Sequence, residues 1–305
     1  MSEEFSPPDD RIEPLQARAA TIVEALPYIQ RFSGERVVVK FGGHAMRNEA
    51  VQRSFARDVT LMRSIGVQVL VVHGGGPEIG RGLSRAGIES EFRGGMRVTT
   101  DEVMEVVQLE LLGRVNPRLV SLIQQSGGRA VGLSGIDGRL LQAERLTVDG
   151  ESVGRVGAVR RVDDSELQLL GQGGFIPVIA PVGVDPEGVT LNINADLAAS
   201  AIASHMMARK LILMTDVPGI RGPDGEIVST LDLPTARAWA REGIVSGGML
   251  PKLRCAFDAL EAGVEKVHIV DGRLRHALLL EIFTDEGVGT EVIDDPEGRS
   301  PRRKR

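Results

Sequence analysis

Six short apolar runs rich in β-branched residues, at positions 37–41, 67–72, 130–133, 176–180, 211–215 and 267–270, alternate along this chain with stretches of helical periodicity. The helical stretches fall at 49–65, 100–125, 195–207, 249–261 and 275–283. Strand followed by helix followed by strand predicts a mostly parallel sheet covered on both faces, an α/β fold. Ligands of such sheets sit beyond the carboxyl ends of the strands, so residues just after each run are the first candidates for chemistry.

With 305 residues and 42% hydrophobic content the chain can fill a large core, as one unit or as two lobes. Its formal charge is −6 and its 36 basic residues are dispersed, which disfavours a nucleic-acid surface. The one concentrated basic patch, 299–305, reads as a solvated terminal tail. Cys255 is the sole cysteine, so neither a disulfide framework nor a zinc cluster is expected, and a reducing cytoplasm fits. Residues 1–10 are acidic and proline-bearing without an apolar core, and no run approaches the roughly 18 apolar residues of a membrane helix.

Before the first strand, Ile12, Leu15, Ala19, Ile22, Leu26 and Ile29 recur at the spacing of one helical face. Pro27 removes an N–H inside that pattern and predicts a kink or stop near Leu26. Such a helix either docks on its own domain or packs against another subunit. Two insertions, 87–98 and 137–162, are glycine-rich with alternating polarity, which predicts hairpins over a sheet edge that could act as lids.

Four segments carry charge-handling groups. His73-Gly74-Gly75-Gly76-Pro77 follows a strand and opens a helix, so its backbone N–H groups and the helix dipole suit an anion; His73 itself reads as a buried or capping residue. Lys40 ends a strand before Gly42 and Gly43, an unusual place for lysine unless its ammonium reaches an acid or a phosphate. Asn192, Asn194 and Asp196 precede an alanine-rich helix, and capping accounts for one of them but not three. Lys252 stands in the first turn of another helix after Ser246, Gly247 and Gly248. No G-x-x-x-x-G-K-[ST], H-R-D or D-F-G occurs, and the glycine triplet does not satisfy G-x-G-x-x-G, which removes the commoner nucleotide motifs.

Together with Gly95-Met96-Arg97-Val98-Thr99 and Thr215-Asp216-Val217-Pro218-Gly219-Ile220, these segments resemble, in order, the acetylglutamate kinases of the amino acid kinase family. The resemblance covers about residues 37–292. It implies a three-layer αβα sandwich, ATP with magnesium carried on its phosphates and no dedicated protein metal site. The implied reaction is phosphorylation of the γ-carboxylate of N-acetyl-L-glutamate in arginine biosynthesis. By residue, it implies Lys40 and Lys252 as ammoniums at the moving phosphoryl group, with Asp196 orienting both. Gly75 and Gly76 would supply N–H groups, and Arg97 and Asn192 would hold the acetylamino acid. Gly42, Gly43, Asp216, Gly219, Ser246, Gly247 and Gly248 fall on nucleotide-contacting stretches. The implied organisation is an oligomer-contacting segment 1–34, an acetylamino-acid lobe 35–208, a nucleotide lobe 209–293 and a disordered tail 294–305.

The segment before the first strand resembles that of arginine-inhibited, hexameric members, and implies feedback inhibition by arginine in the region of Tyr28, His268, Glu281 and Gly287. It also implies a homo-oligomer, a dimer or trimer of dimers. Two departures from the family pattern are His44 after the glycine pair and Gly94-Gly95 in place of Asp-Gly. The nearest rival reading is an N-acetyl-aminoadipate kinase, whose substrate is longer by one methylene. A rival of another class is a catalytically silent arginine sensor or partner of a PII-type signalling protein, against which intact Lys40, Asp196 and Lys252 argue.

Overall fold

The structure, a computed structural model, describes residues 12–284 and 287–294. The acidic residues 1–10 and the tail beyond Asp294 lie outside that range. The first elements among the described residues are α1 (Glu13–Glu24), α2 (Leu26–Phe32), β1 (Arg36–Phe41), α3 (Glu49–Ser64), β2 (Gln68–His73) and α4 (Gly76–Ala86). It continues through β3 (Phe92–Arg93), β4 (Met96–Arg97), α5 (Asp101–Glu110), α6 (Asn116–Gln125), β5 (Ala130–Ser134), β6 (Leu141–Val148) and β7 (Glu151–Val162). Next come α7 (Ser165–Gln172), β8 (Ile176–Ala180), β9 (Val182–Val184), β10 (Thr190–Ile193), α8 (Ala195–His205) and β11 (Lys210–Thr215). The last elements are β12 (Thr230–Asp232), α9 (Leu233–Arg241), α10 (Met249–Glu261), β13 (Lys266–Asp271), α11 (Ala277–Phe283) and β14 (Thr290–Ile293).

Eight strands form one sheet in the order β12-β14-β13-β11-β1-β2-β8-β5. From β13 to β5 all neighbours run parallel, while β14 pairs antiparallel to β13 and carries β12 with it. The parallel strands are buried on both faces, and alternation along β1 shows why. Val37, Val39 and Phe41 pack with α3, α6 and α11, whereas Val38 belongs to the opposite core with α8, α9 and α10. The expected αβα sandwich is therefore present, with all six predicted parallel strands inside it. Register places the last residues of β1 and β2 (Phe41 and His73) side by side, and likewise Thr215 and Asp271 at the ends of β11 and β13. Their following loops share one edge.

Capping fixes where several helices begin. Asn48, Thr100, Asn194 and Asp232 each accept a hydrogen bond from the first turn of α3, α5, α8 and α9. The predicted helical stretch 100–125 forms as α5 and α6 running on through a π-helical turn at Leu111–Val115, with Pro117 in the first turn of α6. The predicted stop near Leu26 falls at Ala25, where α1 ends before the proline-bearing first turn of α2. No helix among the described residues is long and apolar enough to cross a membrane.

Both predicted hairpins form, on two-residue turns whose central residues have positive φ: Gly94-Gly95 between β3 and β4, and Asp149-Gly150 between β6 and β7. The second hairpin is anchored more deeply than a lid. With β9 and β10 it closes a small four-stranded barrel, and Leu141, Ala143 and Val162 sit in the main core. Gly154 of β7 has φ +74, and a Cβ there would lie 2.2 Å from the Thr99 carbonyl oxygen, whereas Gly150 at φ +80 has nothing within 4 Å. Gly150→Ala should thus cost only the left-handed strain, about 1 kcal/mol, and Gly154→Ala at least about 2 kcal/mol, because a backbone carbonyl must also move. Denaturant unfolding of the two variants checks this; equal losses would contradict it.

Candidate active site

At the shared edge the glycine loops after β1 and β2 approach closely. The Gly74 N–H donates to the Phe41 carbonyl at 2.8 Å, and a Cβ on Gly42 would lie 2.9 Å from the Lys40 Nζ. Glycine at 42 therefore leaves room for the lysine head to fold over the loop. Gly75 ends the second loop at the start of α4, and a Cβ there would meet Leu111 of the π-helical turn at 2.2 Å. The first N–H groups of α4 have no intrahelical acceptor and carry the positive end of its dipole.

Asp196 is the second residue of α8. Because Asn194 caps that helix, bonding the N–H groups of Asp196 (2.8 Å) and Leu197 (3.3 Å), the Asp196 carboxylate is left for other partners. Lys40 Nζ lies 3.0 Å from its Oδ1, and Lys252 Nζ donates to its Oδ2 at 2.6 Å. Lys252 reaches it from α10, which is pinned to α8 by a 3.0 Å hydrogen bond from the Ser200 hydroxyl to the Cys255 carbonyl. Ala199 and Ala203 on α8 and Ala256 and Ala259 on α10 are all buried in the same core, and such small residues suit close packing of the two helices. Burial alone would push the Asp196 carboxyl up; the ammoniums of Lys40 and Lys252 more than reverse this and hold it at about 2. Burial pushes the neighbouring Cys255 thiol up to about 12, so it is no nucleophile.

A cavity of about 270 Å³ opens at this point. It is lined by Lys40, Gly43, Gly75, Gly76, Arg97, Asn192 and Asp196, among others. Arg97, on β4, stacks over Phe92 with its guanidinium carbon 4.6 Å from the ring centre, and burial lowers its pKa. Seven expected residues thus share the cavity, counting Lys40, Gly43, Gly75, Gly76, Arg97, Asn192 and Asp196, and Lys252 joins them through Asp196.

The residues expected at the nucleotide are more dispersed. Gly43 is on the cavity wall, while Asp216, Ser246, Gly247 and Gly248 are exposed on loops outside it. Gly219 is buried, and a Cβ there would lie 2.7 Å from the Thr290 hydroxyl, so its lack of a side chain lets the loop pack on β14. Among the described residues no group of three or more His, Cys, Asp or Glu side chains could hold a metal ion.

His73 is fully buried beneath the glycine loop. Its Nε2 accepts from the Asn116 amide at 3.1 Å, which leaves Nδ1 to donate to the Gly74 carbonyl at 2.8 Å. The Asn116 amide also donates to the Val178 carbonyl at 2.8 Å. A neutral imidazole fits both bonds, and burial lowers its pKa to about 4. Sequence reading gave no role to Asn116, 43 positions away, nor to Leu111 or Phe92, which no local pattern marks, nor to Thr99, although it closes the Gly95–Thr99 motif.

A second cavity, of about 310 Å³, gathers Tyr28, His268, Glu281 and Gly287. It opens near the starts of β11 and β13, since Lys210 and Lys266 also line it. The buried Glu281 carboxylate accepts from His268 Nδ1 and from the Val288 N–H at 2.8 Å. Arg31, Lys210 and Lys266 face Glu281 and Glu291 across the lining, and burial lowers the Lys210 pKa to about 8.

Residues 35–271 match the model of the amino acid kinase family. An acetylglutamate kinase of Syntrophobacter fumaroxidans is 51% identical over 293 residues, 93% of this chain and 98% of that protein. One of Citrifermentans bemidjiense is 52% identical over 290 residues, 92% and 99% of the two chains. Among solved structures, N-acetylglutamate synthase of Neisseria gonorrhoeae with coenzyme A and N-acetyl-glutamate superposes with TM-score 0.82 at 27% identity over 91% of this chain. The same synthase with coenzyme A and L-arginine gives 0.79 at 26% identity, also over 91%. The chain spans 63% and 65% of those synthase chains, less than two thirds of each. Carbamate kinase of Giardia lamblia bound to AMP-PNP shares the fold, with TM-score 0.63 at 18% identity over 86% of this chain and 99% of its own.

His73 titrates at about 4 when folded and at 6.5 when exposed, so the unfolded chain binds the extra proton between those values. Its contribution is complete above 6.5 and is lost as pH falls toward 4. Relative to a His73→Gln variant, the protein should lose about 2 kcal/mol of unfolding free energy between about pH 7.5 and about pH 5. Parallel slopes in denaturant titrations of the two proteins would contradict that placement.

Proposed function

The chain belongs to the amino acid kinase family, among its acetylglutamate kinases, and from that membership we propose that it transfers the γ-phosphoryl group of ATP to the γ-carboxylate of N-acetyl-L-glutamate. The observation that carries the reading is the Lys40–Asp196–Lys252 bridge beside a cavity lined by glycine N–H groups. The acceptor carboxylate is ionised at neutral pH, so no general base is needed. Its oxygen forms the new bond to phosphorus as the bond to the bridging oxygen breaks, which yields ADP and an acyl phosphate.

The obstacle is repulsion. At about 4 Å and an effective dielectric constant near 20, each pair of unit negative charges costs about 4 kcal/mol. Two ammoniums offset this, and Asp196 keeps them converged at the cost of one opposing charge. Gly75 and Gly76 add N–H donors at the phosphoryl and substrate carboxylate, while Arg97 and Asn192 hold the acetylamino acid. The nucleotide, with magnesium on its phosphates, would lie toward Gly43, Asp216 and the 246–248 turn. The boundary between an acetylamino-acid lobe, 35–208, and a nucleotide lobe, 209–293, would then run between the adjacent strands β1 and β11.

A second reading concerns regulation. The cavity around Tyr28, His268, Glu281 and Gly287 offers carboxylates and cations on one lining, complementary to an amino acid with a cationic side chain. The neighbouring synthase is described with L-arginine bound. We infer that arginine inhibits the enzyme from this cavity. We also infer that α1, none of whose residues is buried and whose Leu15, Ile22 and Val23 are 59%, 70% and 66% exposed, packs against a second copy in a homo-oligomer.

One assay addresses both readings: ADP release from ATP with N-acetyl-L-glutamate, L-glutamate or N-acetyl-aminoadipate, each with and without L-arginine. N-acetyl-L-glutamate should be the preferred acceptor, with the longer homologue disfavoured by about 1–3 kcal/mol. Arginine should inhibit, and Glu281→Ala should raise the concentration required at least about tenfold, the worth of a charge-assisted bond. Preference for the longer acceptor would overturn the substrate assignment, and unchanged inhibition in Glu281→Ala would overturn the arginine cavity.

A further inference from the structure

Thr99 has been given no role so far, yet it is fully buried and its hydroxyl bridges the backbone of Arg97 and the side chain of Asn192, the two residues assigned to the acetylamino acid. Its hydroxyl lies 2.8 Å from the Arg97 carbonyl and 3.1 Å from Asn192 Nδ2. A carbonyl only accepts, so the single hydroxyl proton goes to Arg97, and the hydroxyl oxygen can only accept from Asn192. That logic fixes the Asn192 amide: Nδ2 turns to Thr99, leaving one N–H and Oδ1 for whatever enters the cavity.

The backbone of Thr99 is held as firmly. Its N–H donates to the Val153 carbonyl at 3.0 Å, and its carbonyl accepts from the Arg155 N–H at 2.6 Å, tying the end of the β3–β4 hairpin to β7. Gly154, where a Cβ would lie 2.2 Å from that carbonyl, permits the approach. Strand β10, which carries Asn192, pairs with the same β7 strand through Asn192 and Val156. Arg97 sits on a short hairpin and Asn192 in the barrel, and Thr99 is where the two parts meet.

We propose that Thr99 is a positioning residue that sets Arg97 and Asn192 in the relative orientation that recognises an acetylated amino acid. The free N–H and oxygen of the Asn192 amide match an acetamido group, which offers one carbonyl and one N–H. The proposal rests on the acetylglutamate reading of the same cavity. It deepens that reading by placing acceptor recognition under a residue that itself touches no substrate.

The test is steady-state kinetics of the full chain with Thr99→Val, which keeps the shape and removes both hydrogen bonds, and Thr99→Ser, which keeps the hydroxyl. Thr99→Val should raise KM for N-acetyl-L-glutamate about tenfold, the loss expected for buried hydrogen bonds, while KM for ATP changes less than about twofold. Thr99→Ser should restore the wild-type value to within about threefold. A merely structural role would raise both KM values together, or make Ser behave like Val, and either result overturns the proposal. If Thr99→Val does not fold, Thr99→Cys, whose thiol is a weak donor and acceptor, should show the same split between the two KM values. A wild-type enzyme inert toward every acetylated acceptor would sink the functional reading and this proposal with it. An active wild type with an unchanged Thr99→Val variant sinks this proposal alone.

Discussion

One buried carboxylate held between two ammoniums is the interaction on which the site depends. Asp196 is 8% exposed, and without partners its charge would be untenable there. Lys40 comes from the end of a central strand, Asp196 from the first turn of α8 and Lys252 from α10, so three distant stretches are fixed by one contact set. The arrangement leaves one net positive charge beside a nest of glycine N–H groups. A folded chain that has already gathered this charge need not reorganise solvent when two anions arrive, which is the physical advantage of a preorganised site.

The two cavities lie toward opposite edges of the sheet. Lys210 begins β11 on the lining of the second cavity, while the far end of β11, Thr215, precedes the loop of Asp216. Six strand residues separate these edges, roughly 17 Å at the rise of an extended chain. Strand β11 pairs directly with β1, whose Lys40 reaches Asp196. Any effector in the second cavity must therefore act by favouring one arrangement of the strands and helices that carry the lysines, since it touches neither reactant.

What could be read from the sequence follows from how local its signals are. The strands of the parallel sheet are continuous apolar runs, so they were legible; β9, β10, β12 and β14 are three or four residues long and were not. Lys40, Asp196 and Lys252 stand out because charged residues in strand ends and first turns among glycines are unusual. The choice among Asn192, Asn194 and Asp196 could not be made from spacing. Cap geometry decides it, assigning Asn194 to the helix and releasing the other two. The pairings of His73 with Asn116 and of Thr99 with Asn192 join residues 43 and 93 positions apart, and nothing in either neighbourhood announces them. The helical stretch expected over 100–125 is present, but its π-helical turn at Leu111–Val115 was not legible, because one wider turn leaves the apolar periodicity almost unchanged.

If Asp196 acts by holding both lysines, a double-mutant cycle on kcat/KM for ATP-dependent turnover will reveal it. The measurement compares Asp196→Ala in the wild-type background with the same change in Lys40→Ala and in Lys252→Ala. Strong coupling is expected: once a lysine is gone the aspartate has less to organise, so its removal costs at least about 2 kcal/mol less than in the intact site. Additive losses in both backgrounds would show three groups acting independently, with no organising role for Asp196.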